Sequence, residues 1–202
     1  MNKKVRLCLL GVVILVTFLG VNTTLMKPLF SQSENVPFDV SIEFVPCGWI
    51  GDAGDPEERY VKLEPYFSDD SRPDNQAIKV DYVSRGTDNW AGIYWLPPDG
   101  DGCNWGQNPG IPILGATKVT FWAKSERAGE RIQFKVGGVQ SPGPYVDTFA
   151  DSEVTELTTT WQLYEIDVSD QNFEEVLGAF AWVARNPPSE GITFYLDDIR
   201  YE

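Results

Sequence analysis

The chain has 202 residues, with 30 acidic and 16 basic side chains, a formal net charge of −14 and no histidine. That length accommodates one domain of roughly 100–200 residues with a real core, and not two large ones. The missing imidazole excludes a Ser-His-Asp triad, a Cys-His dyad and a His-ligated zinc site. The acidity disfavours nucleic acid, anionic membranes and polyanionic sugars as partners, and leaves neutral ligands and divalent cations compatible.

The charge is unevenly spread. Residues 1–33 hold Lys3, Lys4, Arg6 and Lys27 and no acid, so the rest of the chain carries 12 cations against 30 acids, a net of −18. Residues 1–6 form a basic start, and residues 7–21 (LCLLGVVILVTFLGV) carry no charge. This run is long for a soluble strand and short for a membrane span of about 20 residues. It reads as the apolar region of a signal peptide, with a small-x-small step at Ser31–Ser33, or as an uncleaved anchor that extends past Thr24. Either way residues 34–202 are exported, secreted or held on the outer face of the membrane, and the membrane is met only through the N-terminal segment. With Cys8 removed or in lipid, Cys47 and Cys103 remain as an even pair in an oxidising compartment, and a disulfide between them is expected over two separate thiols.

The body alternates with period two, as half-buried strands do. In chain order, residues 77–83 (AIKVDYV) turn Ile78, Val80 and Tyr82 to one face. Residues 118–124 (KVTFWAK) turn Val119, Phe121 and Ala123 inward and Trp122 outward. Residues 132–136 (IQFKV) and 161–168 (WQLYEIDV) continue the pattern. One helical turn is predicted over residues 169–178 (SDQNFEEVLG), capped by Ser169 or Asp170 and ended by Gly178. Residues 179–184 (AFAWVA) are apolar on both faces, as in a central strand. Residues 192–201 (ITFYLDDIRY) form a long last strand whose phase slips near Asp197, the mark of a bulge. Residues 48–58, 68–75, 97–112 and 137–152 are dense in Gly, Pro, Asp and Asn and read as loops. Short strands and long loops indicate an all-β, two-sheet antiparallel sandwich or jelly roll.

Aromatic residues concentrate in the segments read as loops: Trp49, Trp90, Tyr94, Trp95, Trp105 and Tyr145. Trp182 reads as core. A loop has little core to bury an indole, and several exposed indoles together point to a ligand. A neutral sugar matches: indole covers the apolar face of a pyranose, and carboxylates and amides bond its hydroxyls. Asp52, Asp88, Asn89, Asn104, Gln107 and Asp147 are the local polar partners. The opposing interpretation is that the indoles seal the ends of the sandwich.

The segments "FVPCGWIGD", "WAGIYWLPPDGDGCNWG", "GATKVTFWAKSERAGERIQFKVGG", "LTTTWQLYEIDVS", "GAFAWVA" and "ITFYLDDIRYE", in this order, resemble the galactose-binding-like jelly rolls, which include non-catalytic carbohydrate-binding modules of bacterial glycoside hydrolases. The resemblance covers residues 38–202. It departs in having no attached catalytic domain and in carrying Cys47 and Cys103 in the two Trp segments. It implies a monomeric, exported module that binds a neutral polysaccharide or glycan. It also implies a structural Ca²⁺ held by Asp197 with Glu43 as first-strand partner, since Ca²⁺ takes six to eight oxygens. Two other readings stay open: a structural or adhesive surface domain with buried loop indoles, and a small carbohydrate-active enzyme. A glycosidase needs two carboxylates about 5–10 Å apart, and Asp52, Asp88 and Asp147 are the acids near the indoles.

Overall fold

The computed structural model describes residues 35–202 except Pro56, Glu58, Arg59, Ser84, Arg85, Ser141 and Phe149, and except the side chains of Ala150 and Asp151. The N-terminal segment, with its signal-or-anchor reading, lies outside the described residues. No helix among the described residues is long and apolar enough to cross a membrane.

Among the described residues thirteen strands run in chain order: β1 (Phe38–Asp39), β2 (Val45–Gly51), β3 (Val61–Ser68), β4 (Gln76–Tyr82), β5 (Trp90–Leu96), β6 (Pro98–Asp99), β7 (Gly102–Cys103), β8 (Lys118–Ser125), β9 (Arg131–Gly137), β10 (Ala150–Glu156), β11 (Gln162–Asp167), β12 (Phe180–Arg185) and β13 (Ile192–Tyr201). They form two antiparallel sheets. Sheet A has the order β11-β8-β13-β4-β3, with β1 added beside the end of β13; sheet B has the order β10-β9-β12-β5-β2. β6 and β7 make a separate small hairpin.

The inward phases meet as one core. Phe121 of β8 packs on Phe134 of β9 at 4.6 Å between ring centroids and on Phe180 of β12 at 5.1 Å. Trp182 meets Phe194 edge-on at 5.2 Å, and Trp95 meets Phe180 at 5.5 Å. Each of these aromatics removes a large apolar area from water, so this layer is the main source of stability. The expected strands over residues 77–83, 118–124, 132–136, 161–168, 179–184 and 192–201 all form, shifted by a residue or two at some ends. The bulge falls where the phase slips, between Asp197 and Arg200.

Two expectations are corrected. Residues 169–178 contain no helical turn: Val176 pairs with Ile111 in an isolated antiparallel bridge, and the Phe173 carbonyl accepts from the Ile113 amide. Phe173, Val176 and Leu177 are buried, but backbone bonds of this segment go to a neighbouring one, which outcompetes a short helix with its unfavourable nucleation. The segments around Trp49 and Trp90–Trp95 are strands, not loops. β5 is apolar on both faces because both are covered, the inner by the core and part of the outer by a second cluster of Tyr94, Leu96, Val139, Leu177 and Ala181, against which Cys47, Ile50, Cys103 and Trp105 pack.

Candidate functional site

The outer face of sheet B can be read row by row from its register. Gly48, Tyr94, Ala181, Lys135 and Ser152 form one row. Ile50, Gly92, Val183, Gln133 and Val154 form the next. Trp90 pairs with Arg185 at the end of β5 and β12, and Glu156 pairs with Arg131 at the end of β10 and β9. The second cluster roofs the Tyr94 end of this face and leaves the Trp90 end open.

The roof is held by covalent and polar bonds. Cys47 in β2 is joined to Cys103 in β7, so the expected disulfide forms. It ties the sheet edge to the segment that carries Trp105. Asn104, buried at 3% exposure, shapes that segment: its Oδ1 accepts from the amides of Gly106 and Asn108, both at 3.0 Å, and its Nδ2 donates to the carbonyls of Asn108 and Pro109. The Trp105 amide donates to Gln107 Oε1 at 2.7 Å. The indole of Trp105 then lies edge-on to Tyr94 at 5.8 Å. Gly48 leaves the space for it, since a Cβ there would come within 2.9 Å of Trp105 Cζ2 and 2.8 Å of Tyr94 Cβ. Tyr145, 38% exposed, sits beside this segment through its amide bond to the Gly106 carbonyl at 3.1 Å.

Asp147 anchors the roof from the other side. It is 4% exposed and accepts from the amides of Val139 at 2.7 Å, Leu177 at 2.5 Å and Gly178 at 3.2 Å. Burial outweighs these bonds and pushes its carboxyl up to about 6. Asp52, also buried, accepts from the Tyr82 hydroxyl at 3.0 Å and from the Asp88 amide at 3.0 Å. Asp52 and Asp88 therefore share one depression near the start of β5, whereas Asp147 braces the far end of that strand.

The predicted residues thus divide by location. Trp90, Tyr94, Trp105 and Tyr145 come together around the outer face of sheet B, with Trp90 and Trp105 half-buried and Tyr94 largely covered. Trp49 takes the inward phase of β2 opposite Ile93 and packs against the core. Trp95 is a core residue at 2% exposure. Asn104, Asp52 and Asp147 spend their polar atoms on the loops they brace.

Asp197 and Glu43 are not assembled around a cation site. The Asp197 carboxylate takes the Arg72 Nε–H on one oxygen and the Asp198 amide, at 2.8 Å, on the other. Glu43 is exposed. Among the described residues no group of three or more Asp, Glu, Cys or His is arranged to hold a metal ion. The Arg72 guanidinium supplies the positive charge that the adjacent carboxylates of Asp197 and Asp198 need.

Residues outside the expected set complete the face. Arg131, Gln133 and Lys135 fill the polar phase of β9, and Arg185 ends β12. Lys135 Nζ donates to the Tyr94 hydroxyl at 2.9 Å, Gln133 donates to Ser152 Oγ at 3.0 Å, and the Arg185 guanidinium lies 5.3 Å from the Trp90 ring centroid. The signal was in the sequence as the polar alternate of RIQFKV, but an exposed polar phase is also what any half-solvated strand shows. Trp90 and Tyr94 stand four residues apart on one face of β5, about 13 Å along the strand.

No protein-family model matches the sequence, and no curated protein matches it. Solved structures do match. The family 11 carbohydrate-binding module of a cellulosomal cellulase of Clostridium thermocellum aligns at 17% identity and a TM-score of 0.51, over 82% of this chain and 92% of that one. The family 30 module of a second cellulosomal cellulase of that organism aligns at 14% identity and a TM-score of 0.49, over 79% of this chain and 92% of that one. The chain has a jelly-roll fold, as the family 11 module does.

Proposed function

We propose that this protein is an exported, non-catalytic glycan-binding domain that receives a neutral polysaccharide chain on the outer face of sheet B. The observation that carries the reading is the placement of two half-buried indoles, Trp90 and Trp105, around one sheet face whose open end is lined by Gln133, Val154 and Val183. Indole planes cover the apolar faces of pyranose rings, and Gln133, Ser152 and Lys135 offer bonds to ring hydroxyls. The family 11 module that shares the fold is a carbohydrate-binding module.

Titration of the purified protein with xylan, glucan and mannan, followed by tryptophan fluorescence, tests the proposal. A saturable shift lost in Trp90→Ala is expected. A folded protein with no shift on any of the polymers would point instead to a structural surface domain, and release of reducing sugar would restore the enzyme reading.

A further inference from the structure

The cations of this acidic chain are distributed with one exception in mind. Among the described residues, Lys62, Arg72, Lys79, Lys118, Lys124, Arg127 and Arg200 each lie within 4.0 Å of a carboxylate. Arg131, Lys135 and Arg185 do not, and all three stand on the outer face of sheet B. Lys135 is engaged by the Tyr94 hydroxyl. Arg185 lies over the Trp90 ring, 5.3 Å from its centroid, but neither it nor Arg131 meets a carboxylate among the described residues. The register of β12 with β9 pairs Val183 with Gln133, and two residues further along each strand bring Arg185 beside Arg131. Both line a shallow depression of about 280 Å³ with Gln133, Val154 and Val183. Beyond the strand ends both also line a second cavity of about 400 Å³ with Gly129, Glu130 and Pro188. Arg127, on the rim of that cavity, is taken by Glu130 at 2.8 Å.

Two like charges side by side on neighbouring strands are unfavourable, and a domain with 30 acids has ample means to neutralise them. Glu156 is in register with Arg131 and makes no ion pair with it. An anionic ligand group would relieve the repulsion, and the planar guanidinium fork matches a carboxylate through two parallel bonds. The surrounding net charge of −18 repels a polymer charged at every ring, whereas salt at physiological strength screens it beyond about 8 Å. Isolated carboxylates spaced along a neutral backbone satisfy both conditions.

We infer that Arg131 and Arg185 form a subsite for a uronic acid carboxylate borne as a branch on the polysaccharide that lies over Trp90. This inference rests on the glycan-binding face proposed above. The test compares xylan bearing glucuronic acid branches with the same polymer after its carboxyl groups are reduced to alcohols, so that length and branching are held constant. Affinity electrophoresis of the purified protein should show about tenfold weaker retention by the reduced polymer, a gap that narrows as salt is added. Arg131→Gln, an exposed position, should close the gap and keep retention by the reduced polymer. Equal retention of both polymers by the parent protein would overturn the carboxylate subsite and leave glycan binding standing. Retention of neither by the folded protein would overturn both.

Discussion

Arg72 lies against Asp197, on the outer face of sheet A, where its guanidinium is also flanked by the rings of Trp122 at 4.8 Å and Trp161 at 5.0 Å. It reaches on to Asp198 at 3.0 Å. The segment between β3 and β4 that carries Arg72 is pinned further by Asp69, which accepts from Lys124 Nζ at 2.7 Å and from Trp161 Nε1 at 3.3 Å. Burial acts to raise the Asp69 carboxyl, but the Lys124 and Ser71 bonds together hold it well below the usual carboxylate range. The outward tryptophan of β8 therefore has an arginine against its ring.

The first prediction follows from that pair. Arg72→Met leaves Asp197 without its largely buried partner and should lower stability by roughly 3 kcal/mol, read from the urea midpoint. The melting temperature should not respond to a calcium chelator. A large drop with chelator would show that a cation is bound and would sink the account in which Arg72 supplies the charge.

Two tryptophans on the same strand should behave differently. Trp95→Ala opens a core cavity and should cost about 3–5 kcal/mol. Trp90→Ala, at a half-buried position, should cost about 1–2 kcal/mol in stability, while weakening polysaccharide binding about tenfold. Thermal melts and titrations on the two variants separate packing from recognition. A Trp90 variant that binds as the parent does would remove the indole from the site.

The disulfide closes a sequence separation of 56 residues. Replacing Cys47 and Cys103 together by alanine should lower stability by about 4 kcal/mol in the chain-entropy account. The damage should centre on the roof over Tyr94, so acrylamide should quench more of the tryptophan fluorescence, with Trp105 the residue released. An unchanged quenching profile would mean that Asn104 and Asp147 hold the roof unaided.

Asp147 gives the roof a pH dependence. Its carboxyl ordinarily titrates near 3.8 and is pushed to about 6 in the fold. Between those values the folded state binds more protons than the unfolded one, so this group's contribution is fully present below about pH 4 and is lost as pH rises through about 6, an amount on the order of 3 kcal/mol. Asp147→Asn should flatten that part of the stability–pH curve. It should also cost about 1–3 kcal/mol at neutral pH, because an amide nitrogen cannot accept from the Val139, Leu177 or Gly178 amides. A variant with the parent's slope would assign the pH dependence to another acid.

The fold class, six of the strands, the bulge at Asp197 and the cysteine pair were legible in the residue order alone. Period-two alternation, turn residues and an even cysteine count are local signals, and each is imposed by the backbone or by chemistry that acts over a few residues. Tertiary structure alone decided which aromatics face a ligand. Trp90 and Trp95 sit in one apolar run, and alternation says only that they fall on opposite faces, five residues apart. Which face lies against the core depends on how β5 seats between β12 and β2. The same holds for β2 and β5 as a pair, read as loops because glycine and aspartate flank them, when Gly48 and Gly92 mark close approach of Trp105 and of the Trp182 carbonyl. The fate of Asp197 was also nonlocal, for its partner Arg72 lies 125 residues away in the chain. Long-range pairings of this kind are set by packing and desolvation, which no short window of sequence contains.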